Sequence, residues 1–326
     1  MSSSEADNST MARQLPPNLV SHFTQALKSY QLSNATFRVL CSLAPSSLSC
    51  SPMSPSPQRP KALPKRLLVL DSSFNPPTLA HQQMALSAFS EYRQTATGSS
   101  SNGNDKLRVL LLLAINNADK APKPAAFPQR LAMMYIFAQD FLASTTAAAQ
   151  TTYVTSSSDS ECEAVDIAVT TEPYFHAKSG AVASSDFYQG PEPVEQVYLT
   201  GFDTLIRIFD PKYYPDNSMA RVLDPFFAHA QLRVSMRTDA EWGDSAAQLA
   251  YLEGLRRGEL ERVGGKTAWV DRVQMVEGRR DGEEVVSSTK VRSAVLGQDW
   301  NALKKLVSED VTNWIRQEGL YADSGA

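Results

Sequence analysis

With 326 residues, 42% of them hydrophobic and 20% charged, the chain carries enough apolar material for a full core in one large domain or two. Its formal net charge of −4 offers no general attraction for nucleic acid, so any site for a polyanion has to be local. The three cysteines, Cys41, Cys50 and Cys162, show neither metal-ligand spacing nor the even number of a disulfide framework, and no segment is apolar for long enough to span a membrane.

The first residues are acidic and serine-rich, without the hydrophobic core of a signal peptide or the arginines of a transit peptide, so a cytoplasmic or nuclear address is expected. Leu19, Val20, Phe23, Ala26, Leu27 and Tyr30 then recur at helical spacing, and Thr36 to Leu40 read as a short strand. These form an expected docked extension over residues 1–45, followed by a Ser/Pro-rich linker at 46–64 and a main domain at 65–326. Residues 95–105 and 144–160 are so rich in Gly, Ser, Asn, Ala and Thr that they are expected to be loops.

Within the main domain, strand-like runs at 67–70, 108–113, 165–169, 197–200, 232–236 and 268–276 alternate with helical patterns at 81–92, 128–141, 204–209 and 244–256. That alternation predicts βαβ units: an α/β domain with a Rossmann-like parallel sheet and helices on both faces, binding ligands beyond the carboxyl ends of its strands. Two such ends carry chemistry. After the first strand, Ser73-Phe74-Asn75-Pro76-Pro77-Thr78 turns into a helix that bears His81. Thr78 and His81, three apart, share a helix face, so hydroxyl and imidazole are placed to meet a phosphate at a helix N-terminus. After the last strand, Ser287-Ser288-Thr289 opens another helix, with Arg292 four residues beyond Ser288 and suited to bidentate phosphate contacts.

Taken together, these segments resemble the two signatures of the nucleotidylyltransferase superfamily, with Thr78 and His81 in its Thr-x-x-His form and Ser287 to Arg292 in its Ser-Ser-Thr-x-x-Arg form. The ending through Trp314-Ile315 to Gly319-Leu320-Tyr321 is similar to that of nicotinamide mononucleotide adenylyltransferases, especially the fungal members. The resemblance runs with gaps from about Leu67 to Tyr321. It implies the nucleotidylyltransferase fold and adenylyl transfer from ATP to nicotinamide mononucleotide, giving NAD and pyrophosphate, with Mg²⁺ accompanying ATP and no metal ligands of the protein's own.

The resemblance assigns catalysis to His81 and Thr78. It gives ATP phosphates to Ser73, Phe74, Ser287, Ser288, Thr289 and Arg292, and the nucleotide to Gly201, Asp203 and Lys120, with Tyr174 or Phe175 stacking on the pyridine ring. It expects small-molecule substrates, with neither nucleic acid nor membrane as partner. Asp71 and Ser72 depart from the pattern, standing where many members carry glycine. A serine would be strained there if the backbone needs positive φ, and an aspartate would repel phosphates unless turned away or bridged by Mg²⁺. The residues leave open a different phosphate acceptor or CTP, a nucleotide-binding regulatory protein with little transferase activity, and ATP hydrolysis with water as acceptor.

Overall fold

Leucine-, valine- and isoleucine-rich runs build a seven-stranded sheet in the computed structural model, which describes residues 15–48, 54–98, 107–116, 125–151, 164–237, 242–278 and 284–322. The strands are β1 (Phe37–Leu43), β2 (Arg66–Asp71), β3 (Leu107–Ala114), β4 (Val165–Thr170), β5 (Glu195–Gly201), β6 (Ala230–Ser235) and β7 (Val273–Val276). Their order across the sheet is β1-β4-β3-β2-β5-β6-β7. Every neighbouring pair is parallel except β1 with β4. The chain winds outward from β2 through β3 to β4, then returns to β5 on the other side of β2. The crevice between the ends of β2 and β5 is therefore a topological switch point, where α/β sheets hold ligands.

Alternate side chains of each strand face opposite layers. Leu68, Leu70, Val109 and Leu111 pack with helices α1 (Leu19–Gln31), α2 (Leu79–Gly98), α3 (Phe127–Thr151), α8 (Ser288–Leu296), α9 (Trp300–Leu303) and α10 (Glu309–Gln317). Leu67, Val69, Leu110 and Leu112 pack with α4 (Phe175–Ala183), α5 (Phe202–Ile208), α6 (Met219–His229) and α7 (Ser245–Arg256). Helices thus cover both faces of the sheet, as the alternating pattern predicts, and each fully buried leucine contributes about 1.5–3 kcal/mol.

Several expectations need correction. Of the loop expected at 144–160, the residues through Thr151 continue α3, and residues 152–160 lie outside the described residues. Alanine is the best helix former, and the hydroxyls of Thr145 and Thr146 fold back onto the Leu142 carbonyl at 2.9 and 2.8 Å. The α2 helix likewise runs on to Gly98. The long strand expected at 268–276 is a 3₁₀ segment, Thr267–Arg272, in which Trp269 and Val270 are buried, followed by the short β7. The Ser/Pro-rich stretch is tied down over its second half: Ser42 N–H donates to the Ser56 carbonyl at 3.0 Å, and Arg108 donates to the Gln58 carbonyl at 2.9 Å. The extension ahead of it supplies β1, hydrogen-bonded into the sheet, and α1, which packs on α3.

At the amino ends of β3 and β4, Asp166 is fully buried and accepts from four donors. Arg108 contributes Nε and Nη2 at 2.5 and 2.7 Å, Tyr188 its hydroxyl at 2.6 Å and Ser42 its hydroxyl at 2.6 Å. Removing one partner of such a pair leaves an uncompensated buried charge. Asp166→Ala should therefore destabilise the protein by about 3–5 kcal/mol in urea denaturation. A loss below about 1 kcal/mol would show that Arg108 is not held by this carboxylate.

Candidate active site

From the carboxyl end of β2 the chain makes a turn through Ser72, Ser73, Phe74 and the cis Asn75-Pro76 bond before entering α2. Phe74 takes the left-handed conformation (φ 44°) and buries its ring fully, 5.7 Å from the His81 ring and 6.4 Å from Phe137. That leaves Ser73 exposed at the cleft. Ser72 has no positive φ, so the strain expected from a serine in place of glycine does not arise. Its hydroxyl instead lies 2.9 Å from His81 Nε2. The other expected difficulty is also removed. Asp71 forms an ion pair with Lys178 of α4, their side chains only 7% and 6% exposed, and this neutralises its charge beside the cleft.

His81 is bound on both sides. The Thr78 backbone N–H donates to Nδ1 at 3.0 Å and Thr78 Oγ1 lies 2.8 Å from the same nitrogen. Burial pushes the imidazole down to about 4, so the ring is neutral at physiological pH. The Leu79 N–H is also spent internally, on the Leu306 carbonyl at 2.9 Å. Donors at the start of α2 expected to reach a phosphate are therefore engaged within the protein, and the side chains of the turn carry the polar surface.

The second signature is joined to the first. Ser287 caps α8 by accepting from the Lys290 N–H at 3.3 Å. Ser288 donates to the Pro76 carbonyl at 2.8 Å, and Arg292 donates to the Asn75 carbonyl at 2.9 Å and to Thr289 Oγ1 at 3.1 Å. Tyr321 adds its hydroxyl to Asn75 Oδ1 at 2.9 Å. Thus Ser288 and Thr289 support the turn and Arg292, and of the four phosphate ligands expected in this second signature only Arg292 lines the cleft.

This cleft, about 1150 Å³, lies over the switch point. Of the turn, Asp71, Ser72, Ser73 and Asn75 line it; Thr78 and His81 do not. Asp203, Thr204 and Arg207 reach it from α5. The Asp203 carboxylate lies close over Gly201, 2.7 Å from where a Cβ would stand, and Arg237 approaches it at 3.4 Å. Tyr174 is 42% exposed and stacks at 5.6 Å on His176, with Tyr213 6.1 Å away. Phe175 also lines the cleft, but its ring meets Tyr198 edge-on at 5.4 Å and lies under Lys178 Nζ at 5.2 Å, leaving Tyr174 as the better stacking surface. Lys120 lies outside the described residues.

Sequence reasoning missed Lys178, Arg130, Arg207, His176, Tyr213 and Tyr214 as lining groups. Two had a readable signal, because Lys178 follows Tyr174 and Arg207 follows Asp203 by four residues, one helical turn on the same face. Among the described residues the cleft has four basic side chains, Arg130, Lys178, Arg207 and Arg292, against two acids that are themselves paired. An overall acidic chain thereby presents a locally cationic pocket.

No protein-family model matches the chain. A Schizosaccharomyces pombe protein named "Putative nicotinamide mononucleotide adenylyltransferase" is 34% identical over 253 residues, which cover 77% of this chain and 84% of that protein. The nicotinic acid mononucleotide adenylyltransferase of Plasmodium falciparum complexed with NaAD superposes with a TM-score of 0.40 and 13% identity over 78% of this chain and 97% of that one. Thermotoga maritima TmcAL bound with alpha-thio ATP gives 0.36 and 13% over 78% of this chain and 55% of that one.

Lys178→Met would leave Asp71 charged and nearly buried with no partner, at a cost of about 3–5 kcal/mol. Adding Asp71→Asn should restore most of that stability; an equally unstable double variant would refute the pairing. The depressed His81 value also sets a pH response. The unfolded ring binds a proton below about 6.5 while the folded ring refuses it until about 4. This contribution is therefore fully present above 6.5 and is lost as pH falls towards 4. NMR titration should find His81 neutral down to about pH 5, and a midpoint near 6.5 would contradict the burial argument.

Proposed function

The chain belongs to the nicotinamide mononucleotide adenylyltransferase family, and on that footing we propose that it transfers the adenylyl group of ATP to nicotinamide mononucleotide, giving NAD and pyrophosphate. The observation that carries this reading is the joining of two phosphate-type turns at one switch point: Asn75-Pro76 ahead of α2 is bonded to Ser288 and Arg292 of α8 beside the cationic cleft. In the reaction a phosphate oxygen of the mononucleotide attacks the α-phosphorus of ATP. The bond to the β-phosphate breaks and pyrophosphate carries away the electron pair. Such in-line transfer needs positioning and charge stabilisation more than covalent catalysis.

The residues divide that work. Arg292 and Arg130 favour the polyphosphate, and Ser73 with its neighbours in the turn supplies hydroxyl donors. Tyr174 offers a face to the pyridine ring, and Asp203 an acceptor for ribose hydroxyls. Neutral His81, locked by Thr78, strengthens the donor set of the turn without releasing a proton. Among the described residues no group of three or more His, Cys, Asp or Glu is placed to hold a metal, and Asp71 is committed to Lys178. In this proposal Mg²⁺ would arrive with ATP and, when bound, would supply charge neutralisation to the polyphosphate. A cytoplasmic or nuclear address belongs to the same proposal and agrees with the free thiol of Cys41 in β1.

The test is to incubate the protein with ATP, Mg²⁺ and a panel of phosphate acceptors while following pyrophosphate and dinucleotide. Nicotinamide mononucleotide should yield NAD, and His81→Ala should lower turnover by about 10²–10³-fold with an unchanged circular dichroism spectrum. Near wild-type turnover in that variant would refute the mechanism. Phosphate release without an acceptor would point to hydrolysis.

A further inference from the structure

We propose that the hydroxyl of Ser72 is the group that meets the phosphate of the bound nucleotide, and that His81 acts through it as a positioning residue. The inference rests on the adenylyl-transfer reading of the cleft and concerns a side chain at a position where many members of the family carry glycine.

The argument starts from a backbone proton. The Thr78 N–H can only donate, and it points at His81 Nδ1 from 3.0 Å. Nδ1 must therefore keep its lone pair, and the Thr78 hydroxyl 2.8 Å away makes the same demand when it donates. The single proton of the neutral ring then sits on Nε2. That nitrogen lies 2.9 Å from Ser72 Oγ, so the ring donates and the serine oxygen accepts. With its oxygen engaged this way, the Ser72 hydroxyl proton is turned away from the imidazole.

Position decides where that proton goes. Ser72 lines the cleft, and its hydroxyl is the group that His81 Nε2 meets, at 2.9 Å. A glycine at 72 would leave Nε2–H facing the cleft with nothing between; the serine interposes one hydroxyl. The result is a relay, Nε2–H to Oγ–H to phosphate oxygen, in which each bond polarises the next. No proton changes owner: the imidazole stays neutral and the phosphate gains a strengthened neutral donor where charge develops in the transition state. The N–H groups of Ser72, Thr78 and Leu79 are engaged with Leu112, His81 and Leu306, and of the cleft's hydroxyls it is that of Ser72 that His81 contacts.

The experiment uses the full chain with Mg·ATP and nicotinamide mononucleotide. Ser72→Ala and Ser72→Gly should each lower kcat by about 10²–10³-fold, as is expected of His81→Ala, with the KM for ATP changed by less than about threefold, whereas Ser72→Thr, which keeps the hydroxyl, should retain most of the activity. Adding His81→Ala to Ser72→Ala should cost less than about threefold more, since the relay is already broken. If His81 met the phosphate directly, Ser72→Gly would match or exceed wild type and His81→Ala would keep its full effect in that background, overturning the proposal. A second readout does not need turnover. In ¹⁵N spectra His81 should be the Nε2–H tautomer, its Nε2 resonance moving little on addition of Mg·ATP to wild type but strongly in Ser72→Gly. Equal movement in both proteins would overturn the proposal. Binding of Mg·ATP without dinucleotide formation would refute the acceptor reading alone, leaving Ser72 to be judged by the resonance. No binding of Mg·ATP would refute both.

Discussion

Two carbonyl oxygens, those of Asn75 and Pro76, accept hydrogen bonds from Arg292 and Ser288 of α8, and the use of the whole cleft depends on where those carbonyls point. A turn that serves a phosphate cannot aim carbonyl oxygens at it, because the negative ends of the dipoles would repel the anion. Here the oxygens are taken up from behind by a helix more than 200 residues away in sequence. Tyr321 holds the Asn75 side chain, and Leu306 receives the first N–H of α2. In the proposed reaction the carboxyl-terminal helices would act by shaping the turn, and of their expected phosphate ligands Arg292 alone lines the cleft.

The same logic explains why an aspartate can stand beside a polyanion site. In a cleft of low dielectric an unpaired carboxylate would oppose ATP strongly, but Lys178 lies against Asp71 and cancels most of its field. Asp203 is approached by Arg237 in the same manner at the other lip. Among the described residues four basic side chains line the cleft against two acids, so the local potential is opposite in sign to the net charge of −4. Specific attraction of a nucleotide is then possible without general affinity for polyanions.

The sequence made the periodic features legible. The strand-like runs gave all seven strands within a few residues, the last of them overextended into a 3₁₀ segment, and the three-residue step from Thr78 to His81 gave a shared contact. It could not reveal pairings between distant elements, whose partners carry no local mark. Lys178 and Asp71 are 107 residues apart, and nothing local to either marks the other as its partner. The concern about Ser72 came from assuming that the glycine-like conformation falls at that residue. The chain places its positive φ at Phe74 instead, where a fully buried ring offsets the strain of a non-glycine residue in the left-handed region. Composition misled at the end of α3, because alanine and threonine were weighed as loop formers although threonine hydroxyls can bond their own helix.

The segment ahead of Leu67, which lies outside the family resemblance, has a direct structural line to the cleft. β1 runs antiparallel to β4, so its first residues sit against the carboxyl end of β4, at the active lip of the sheet. There the Thr36 carbonyl accepts from Thr170 Oγ1 at 2.7 Å and from the Thr171 N–H at 3.1 Å, fixing the backbone three residues before Tyr174. Tyr174 is the residue just ahead of α4, and that helix carries His176 and Lys178 into the cleft. A parallel strand at this edge would have brought its amino end to the opposite side of the sheet and left the β4–α4 turn without those bonds. The antiparallel sense of β1 is therefore what allows an amino-terminal extension to brace the aromatic wall and the cation that neutralises Asp71.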